Sequence, residues 1–445
     1  MGSPLGATDR AGGACGSFGT RAKSLQSRHD RLGLGGRIER ALSAAEIRHA
    51  ALWSGENLEH CADILEGLAL RAYRYEQFRA TATPPPKRID ILVPKGRKAE
   101  AKAIFDAAWS RAASTNFGRS LADLPPNYGT PEKFVERARE GLEGTSLRIE
   151  VLGLSEIEAA GMGLFCAVAR GAQHEAKLLR IEHRADEAEE LPTLALIGKG
   201  VTMDAGGYNL KTGGAVHEMS YDKAGAAAVV GAMKGIAEAD LPVHVIALCP
   251  LVENLVGSAA VRPGEVVEAY DGTQVYIENT DAEGRLLMAD LLAWLGELEP
   301  DMCIDIATLT GACHTALGDP YSGLFSNDDE ARDILVAAGE RSDDLVWPLP
   351  IHDYHDRELA HLHADLRNVG AYAGAASAAA AFLRYFVSYP WAHIDMGGKA
   401  YFPYERDYVG AGATGYGCRL LLEAAHGFAD SYDFHEDEGD AESEA

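Results

Sequence analysis

The chain has 445 residues, 47% of them hydrophobic, which is long and apolar enough for two domains with buried cores. Its 41 basic and 67 acidic residues give a formal net charge of −26, so its surface repels a phosphate backbone and nucleic acid is not an expected partner. No apolar run approaches the roughly 18 residues that a membrane span needs, so no membrane partner is expected either. The seven cysteines are scattered and include no CxxC pair, which indicates a reducing compartment and a cytoplasmic location.

The N-terminal quarter of the chain is predicted to be mainly helical. Residues 1–30 are rich in Gly, Ser and Arg and lack the apolar segment of a secretory signal, so we predict a disordered extension, with an organelle transit peptide as the open alternative. The segment 32–79 has apolar residues at helical spacing. After a run of three prolines, 88–94 predicts a strand and 101–121 a long helix. We assign 31–125 to a small domain that ends in this linker helix.

Beyond residue 125, strands and helices alternate, which predicts an α/β sandwich whose central mixed sheet is covered by helices on both faces. The predicted strands are 147–151, 194–198, 243–248 and 302–306, and the predicted helices are 154–160, 225–238 and 286–298. Asp271-Gly272 stands between two strand-like runs and predicts a β-hairpin. We assign 126–428 to this larger domain, and 429–445, where acidic residues alternate with Ser, Gly and Ala, to a disordered tail.

Charged residues in the middle of the chain stand where predicted strands end, which is where α/β folds bind ligands. Lys199 directly follows the strand 194–198. Asp204 comes five residues later, beside two glycines that permit a tight turn or a close approach to a ligand. Lys211 closes the same segment, so one stretch of chain carries two cations and an acid at one strand end.

Three further acidic residues stand at predicted helix entries. Asp222 precedes the Ala-rich helix and Asp281 precedes the next helix, so each alone would pass as a helix cap. Glu283 is not explained in that way, because a capping box has its acid three residues after the cap. Arg285 then places a cation at the positive end of the helix dipole. This placement is unfavourable, so something must compensate for it.

Four carboxylates gathered at strand ends would repel one another unless they are neutralised. Hard divalent cations held by carboxylate oxygens would neutralise them. The two lysines and Arg285 could also do so as a purely structural ion network. Residue spacing leaves both interpretations open.

Three segments resemble the signature segments of the leucyl aminopeptidase family, in the family's order and spacing. They are GKGVTMDAGGYNLK at 198–211, MSYD at 219–222 and NTDAEGRL at 279–286. The resemblance continues through 307–312, 391–395 and 412–417, so it covers roughly residues 120–427. Within the family, it is closest to the bacterial peptidase B branch.

The resemblance implies a metal-dependent aminopeptidase that releases N-terminal residues, leucine among them, from peptide substrates. The implied ligands of two divalent metal ions, Mn²⁺ or Zn²⁺, are Lys199, Asp204, Asp222, Asp281 and Glu283. Asp204 and Glu283 are able to bridge both ions. Lys211 and Arg285 form the implied catalytic pair, with Lys211 stabilising the developing oxyanion and Arg285 holding a bicarbonate ion that serves as general base.

The resemblance also implies a side-chain pocket at Met219, Thr308 and Leu309, a homohexamer, and an N-terminal α/β domain that is shortened in this chain. Lys223 departs from the family pattern, since Met is common there, and it adds a cation next to Asp222. The rival interpretation is a non-catalytic scaffold or regulator. All seven implied metal and catalytic positions are filled, which favours the enzyme. An aminopeptidase specialised for acidic first residues or for cysteinylglycine would differ only in its pocket lining and stays open.

Overall fold

The computed structural model describes residues 25–81, 88–185 and 191–442, without the side chains of Ala215 and of 433–442. Most of the predicted extension 1–30 therefore lies outside the described residues, as do the side chains of most of the predicted tail 429–445. Among the helices that are described, none combines the length and apolar character needed to cross a membrane.

The N-terminal part is a small α/β unit. Its elements are α1 (Arg28–Ala44), β1 (His49–Trp53), α2 (Leu58–Ala72) and β2 (Arg88–Leu92). The prediction of one helical segment over 32–79 is wrong, because α1 is followed by Glu46, which adopts a left-handed φ of 54°, and β1 then pairs in parallel with β2. This pairing joins strands that are far apart in the sequence, so local helical periodicity did not reveal it.

The larger part of the chain contains the remaining elements. The helices are α3 (Lys98–Ala122), α4 (Pro131–Leu142), α5 (Leu154–Ala159), α6 (Gly163–Ala169), α7 (Ala224–Ala239), α8 (Gly284–Leu295), α9 (Gly311–Leu317), α10 (Asp329–Ser342), α11 (Asp353–Leu359), α12 (Ala375–Arg384) and α13 (Cys418–Glu442). The strands are β3 (Arg148–Gly153), β4 (Lys177–Arg184), β5 (Thr193–Gly198), β6 (Gly200–Asp204), β7 (His244–Asn254), β8 (Val266–Glu268), β9 (Gln274–Tyr276), β10 (Met302–Ala307), β11 (Ser322–Ser326), β12 (Val346–Pro348), β13 (Leu366–Arg367), β14 (Trp391–Asp395), β15 (Tyr401–Phe402) and β16 (Gly412–Ala413). A 3-10 helix, Gly214–Lys223, precedes α7.

These bounds match the predicted elements of the larger part closely. The four predicted strands correspond to β3, β5, β7 and β10, and the three predicted helices to α5, α7 and α8. The hairpin is confirmed, since β8 and β9 pair antiparallel around the turn at Asp271-Gly272. The backbone of α13 continues through Glu442, into the segment predicted as a disordered tail. The domain limits at 30, 125 and 428 stay predictions.

A central mixed sheet of nine strands organises the larger part. Its strand order is β12-β11-β14-β10-β5-β7-β4-β3, and β6 pairs with β7 beyond the end of β5. The five strands β14, β10, β5, β7 and β6 run parallel, whereas β11 and β4 flank them in the antiparallel direction. The parallel strands therefore end at one edge of the sheet, and the predicted mixed sheet is confirmed.

Helices bury both faces of this sheet. Along β5, Leu194 and Leu196 point into one apolar cluster, together with side chains of α4, α7, α10 and α13. Ala195 and Ile197 alternate with them and join the second cluster, with side chains of α6, α8 and α12. Because both faces are packed, the strand ends are held rigidly in position, which is what a site built on them requires.

A buried ion-pair cluster ties the small N-terminal unit to the larger part. Glu66 on α2 is fully buried and contacts Arg28 at 2.8 Å, Arg111 on α3 at 3.0 Å and Arg419 on α13 at 3.5 Å. Burial alone would raise the pKa of Glu66, but the attraction of the three arginines outweighs it and holds the pKa below its ordinary value.

Replacing Glu66 with Gln keeps the side-chain volume but leaves three guanidinium groups without their shared anion. We expect Glu66→Gln to lower the free energy of unfolding by about 3–5 kcal/mol, measured by urea unfolding. The control is Asp106→Asn, which breaks the exposed Lys102–Asp106 pair on α3 and should change stability by less than about 0.5 kcal/mol. Equal effects of the two substitutions would contradict a central role for Glu66.

Candidate metal centre

The parallel strands bring the predicted site residues together at one edge of the sheet. Lys199 follows β5, Asp204 is the last residue of β6, and Thr308 follows β10. The 3-10 helix presents Asp222 at the same edge, and the turn before α8 presents Asp281 and Glu283. The side chains of Lys199, Asp204, Asp222 and Glu283 are buried.

Lys199 lies at the centre of one half of the site. Its Nζ is 2.8 Å from a carboxylate oxygen of Asp222 and 2.8 Å from one of Glu283, and it donates to the carbonyl of Thr308 at 3.2 Å. The Thr308 hydroxyl donates to the same Asp222 carboxylate at 2.6 Å. Gly284 makes room for this lysine, because a Cβ at that position would lie 2.6 Å from its Cε.

Lys211 lies at the centre of the other half. Its Nζ is 2.7 Å from Asp204 Oδ2 and 2.6 Å from Asp281 Oδ1. The second oxygen of Asp204 accepts from the Gly206 N–H at 2.8 Å and from the Asn254 amide at 2.8 Å. The Lys211 side chain is more exposed than that of Lys199, so it forms the solvent-facing side of the cluster.

This donor set fits divalent metal ions. Carboxylate oxygens of Asp204, Asp281 and Glu283 all lie within 4.8 Å of one another. Across the whole site, four carboxylates are in ion-pair contact with only two ammonium groups, among the side chains the structure describes. Every carboxylate contacts an ammonium, but the ionised groups in contact carry two more negative than positive charges, and a purely structural ion network would leave this excess uncompensated. Carboxylate oxygens with one amine nitrogen suit Mn²⁺ or Zn²⁺.

The pKa shifts of the site residues also indicate an excess of negative charge. Burial raises the pKa of Asp222 to about 8, and the nearby Glu283 and Asp204 carboxylates add to this rise while Lys199 opposes it. Burial also raises the pKa of Asp204, together with repulsion from Glu283. For Lys199, burial acts to lower the pKa, but Asp222, Glu283 and Asp204 outweigh it and raise the pKa above its ordinary value.

Arg285 lies beside the cluster on the first turn of α8. Its Nη1 donates to the backbone carbonyl of Asn368 at 2.9 Å, and its buried Nε has no hydrogen-bond partner among the described residues. Burial lowers the pKa of Arg285 to about 10, against the attraction of Glu283 and Asp395. A buried guanidinium with a free N–H is a ready partner for a small anion.

Asn368 is a residue that the sequence did not single out. Its side chain is fully buried and is bonded on both sides to the turn before α8. Its amide group donates to the carbonyls of Asn279 at 2.7 Å and Ala282 at 3.4 Å, and its oxygen accepts from the N–H groups of Glu278 at 2.9 Å and Asn279 at 3.2 Å. The same residue therefore holds the acidic turn with its side chain and Arg285 with its backbone.

Asn254 was missed as well, although a signal for it existed. It is the last residue of β7, and its amide bonds Asp204 at 2.8 Å and the Thr280 carbonyl at 3.0 Å, which joins the two acidic segments. The strand-end argument that identified Asp204 applies equally to this position. No comparable signal marks Asn368, because its role depends on a loop far along the chain.

The three predicted pocket residues belong to segments that also carry residues of the cluster or contact it. Met219 is part of the 3-10 helix that carries Asp222, and Leu309 packs against the second apolar cluster. The hydroxyl of Thr308 is bonded to Asp222, so this residue supports the charged cluster directly.

Lys223 is turned away from the carboxylates. Its ammonium donates to the carbonyl of Leu124 at 2.9 Å and to the carbonyl of Ser220, and burial lowers its pKa to about 7. Among the described residues, the departure from the family pattern therefore adds no ion pair to the site.

Comparison with known proteins agrees with the geometry. The model of the cytosol aminopeptidase family, catalytic domain, matches residues 116–422. A probable cytosol aminopeptidase of Syntrophotalea carbinolica is 41% identical over 369 residues, which are 81% of this chain and 73% of the relative. One of Roseiflexus castenholzii is 40% identical over 369 residues, 82% of this chain and 75% of the relative. The relatives carry the general family name, so the closer likeness to the peptidase B branch stays a prediction.

The fold is shared with solved structures. The structure of the bottromycin maturation enzyme BotP in complex with Mn superposes with a TM-score of 0.83 at 31% sequence identity, covering 91% of this chain and 88% of that chain. A second structure of the same enzyme gives a TM-score of 0.82 at 30% identity. The family predicted from the three sequence segments is confirmed: this chain belongs to the cytosol, or leucyl, aminopeptidase family, whose members are metal-dependent peptidases.

Proposed function

We propose that the chain removes N-terminal amino acids, leucine among them, from peptides at a centre of two divalent metal ions. The proposed ligands are Lys199, Asp204, Asp222, Asp281 and Glu283, of which Asp204 and Glu283 would serve both ions. The observation that carries this proposal is the cluster of four carboxylates that share only two lysines, so that negative charge exceeds positive charge by two among these described contacts. When bound, such ions polarise the scissile carbonyl, lower the pKa of the attacking water and anchor the free amine of the substrate.

Lys211 is the proposed electrostatic catalyst. Its ammonium is the more solvent-accessible of the two in the cluster, so a peptide entering the site can reach it. A hydrogen bond from it to the carbonyl oxygen grows stronger as negative charge develops there. Asp204 and Asp281 orient the ammonium through contacts at 2.7 and 2.6 Å, so little reorganisation is needed during reaction.

Arg285 is proposed to hold a bicarbonate ion that serves as general base. Its buried Nε without a described partner and its Nη1 bond to the Asn368 carbonyl support this assignment. A planar anion can accept two parallel hydrogen bonds from a guanidinium, which fixes its orientation.

The proposal extends to the metal, the side-chain pocket, the cellular location and the oligomeric state. The donor set suits Mn²⁺ or Zn²⁺, and BotP has been solved in complex with Mn. An apolar first residue of the peptide is proposed to enter a pocket formed by Met219, Thr308 and Leu309. A cytoplasmic location agrees with the free thiols of the six described cysteines. A homohexamer is proposed from the family resemblance.

The first test is hydrolysis of leucine p-nitroanilide by metal-stripped protein, with Mn²⁺ or Zn²⁺ added back. Lys211→Ala should lower kcat by about 10²–10³-fold with Mn²⁺ binding retained, because the oxyanion donor is lost while all five proposed metal ligands remain. Asp281→Ala should lose activity together with metal affinity, measured by titration calorimetry. Lys133→Ala, which removes an exposed lysine paired with Glu136, is the control and should match the wild type. A folded wild type that stays inactive with both metals would favour the scaffold interpretation.

A second prediction concerns Asn368 as a positioning residue. Asn368→Ala removes four bonds to the turn that presents Asp281 and Glu283, so the affinity for Mn²⁺ should fall by about 10–100-fold, which is typical when a supporting shell is lost. Calorimetric titration of the metal-stripped protein measures this directly. Asn327→Ala is the control, because Asn327 bridges Tyr389 and Trp391 at the other end of β14. If both variants bind Mn²⁺ like the wild type, Asn368 has only a structural role.

The third prediction concerns pH. In metal-stripped protein, burial raises the pKa of Asp222 to about 8, and only the deprotonated carboxylate binds a metal ion. Mn²⁺ affinity should therefore rise from about pH 6.5 to about pH 8.5, and binding should release protons. Calorimetry in two buffers of different ionisation enthalpy gives the number of protons released on binding. An affinity that does not change over this range would contradict the assignment of Asp222 as a ligand.

A further inference from the structure

A second cavity lies apart from the metal centre. It has a volume of about 450 Å³ and is bordered by the start of α1, the segment that follows α10, and the loops around β15 and β16. Aromatic side chains of Phe402, Tyr408 and Tyr416 form part of its lining, and none of the proposed metal ligands or catalytic residues does. The proposed function therefore leaves this cavity unexplained.

Lys399 lines this cavity, and its side chain has no bonding partner among the described residues. Its backbone is fixed, since its N–H donates to the Met396 carbonyl at 2.9 Å and its carbonyl accepts from the Thr414 hydroxyl at 2.5 Å. The residue is only 3% exposed, yet in the described part of the chain no hydrogen-bond acceptor or carboxylate contacts its ammonium. Burial lowers the pKa of Lys399 to about 8, against the attraction of Asp319 and Asp344, which lie beyond ion-pair distance.

The other charges of the cavity wall are already paired. Arg406 contacts Asp319 at 2.6 Å and lies over the Phe402 ring, with its guanidinium carbon 4.0 Å from the ring centre. Arg419 contacts Asp344 at 2.8 Å. His29 contacts Asp343 at 2.8 Å. Asp319 and Asp344, the acids that attract Lys399, are therefore each paired with an arginine. Among the described cations that line the cavity, Lys399 is the one whose charged group has no contact partner.

We propose that this cavity binds a small organic carboxylate, with the carboxylate on the Lys399 ammonium and the apolar part of the ligand against the aromatic side chains. The Lys399 ammonium has no protein partner among the described residues, and a carboxylate that enters the cavity would supply one through a charge-assisted hydrogen bond. The cavity volume accommodates a molecule of the size of a branched-chain acid. Free amino acids and short peptides also carry a carboxylate, so the site would respond to molecules that surround an aminopeptidase.

The test uses 4-methylpentanoate, which lacks the amine by which a substrate would be anchored at the metal centre. Calorimetric titration of the full-length, metal-loaded protein should show binding that weakens by at least about tenfold in Lys399→Met, because a charge-assisted bond is lost. Lys133→Met, which removes an exposed and paired lysine, should bind like the wild type. The neutral analogue 4-methylpentanamide should bind the wild type more weakly than the acid, and inorganic phosphate reports whether any anion suffices.

A stability measurement separates a ligand site from a structural lysine. Removal of an unpaired buried charge should leave the melting temperature of unliganded Lys399→Met equal to that of the wild type or raise it by a few degrees. The proposal requires this result together with loss of binding. A lower melting temperature, equal 4-methylpentanoate affinity in wild type and variant, phosphate binding as tight as the acid, or no binding by the wild type would overturn it. Leucine p-nitroanilide hydrolysis by Lys399→Met reports the metal centre separately, so failure of one site does not imply failure of the other.

Discussion

The mutual repulsion of four carboxylates at one edge of the sheet is the constraint on which the site depends. Asp204, Asp222, Asp281 and Glu283 come from separate strand and helix ends, and the fold holds them together in a mostly buried space. Two lysines lie between them in contact distance and neutralise half of the charge. The remaining charge would attract a divalent cation to this position, since a fully balanced cluster would offer it little.

The surrounding structure supplies the rigidity that such a cluster needs. The sheet is packed on both faces, so the ends of β5, β6, β7 and β10 cannot move apart without disturbing two apolar clusters. Asn254 and Asn368 then hold the acidic segments through hydrogen bonds from their side-chain amides. These neutral groups add no charge to a site that already contains many charges. Neutral side chains are suited to this role because a further ion would shift the very pKa values on which metal binding depends.

The members of the charged cluster could be predicted from the sequence better than the residues that support them. Lys199, Asp204 and Glu283 could be identified because strand ends collect ligands in α/β folds and because a helix cap does not explain Glu283. The strands and helices near them could be predicted from their own periodicity. The strand β1 could not be, since its stability depends on pairing with β2, and Asn368 could not be, since it reaches the acidic turn from a loop about ninety residues later. In both cases the determining contact is non-local, and local patterns carry no information about it.

Three buried lysines show how far the surroundings decide what one residue type does. Lys199, Lys223 and Lys399 have nearly the same burial, at 3%, 0% and 3% exposure. Carboxylates surround Lys199 and raise its pKa, so it stays a cation unless a bound metal ion takes the place of its proton. The Lys223 ammonium donates to backbone carbonyls, and burial lowers its pKa to about 7, so it loses its charge readily. Lys399 lines a cavity and its ammonium has no contact among the described residues, and its pKa of about 8 lies between these extremes. Burial is common to all three, so the groups within reach of each ammonium must determine the difference. The Lys399 ammonium has no such group, so it is the one of the three to which an incoming anion would supply a partner.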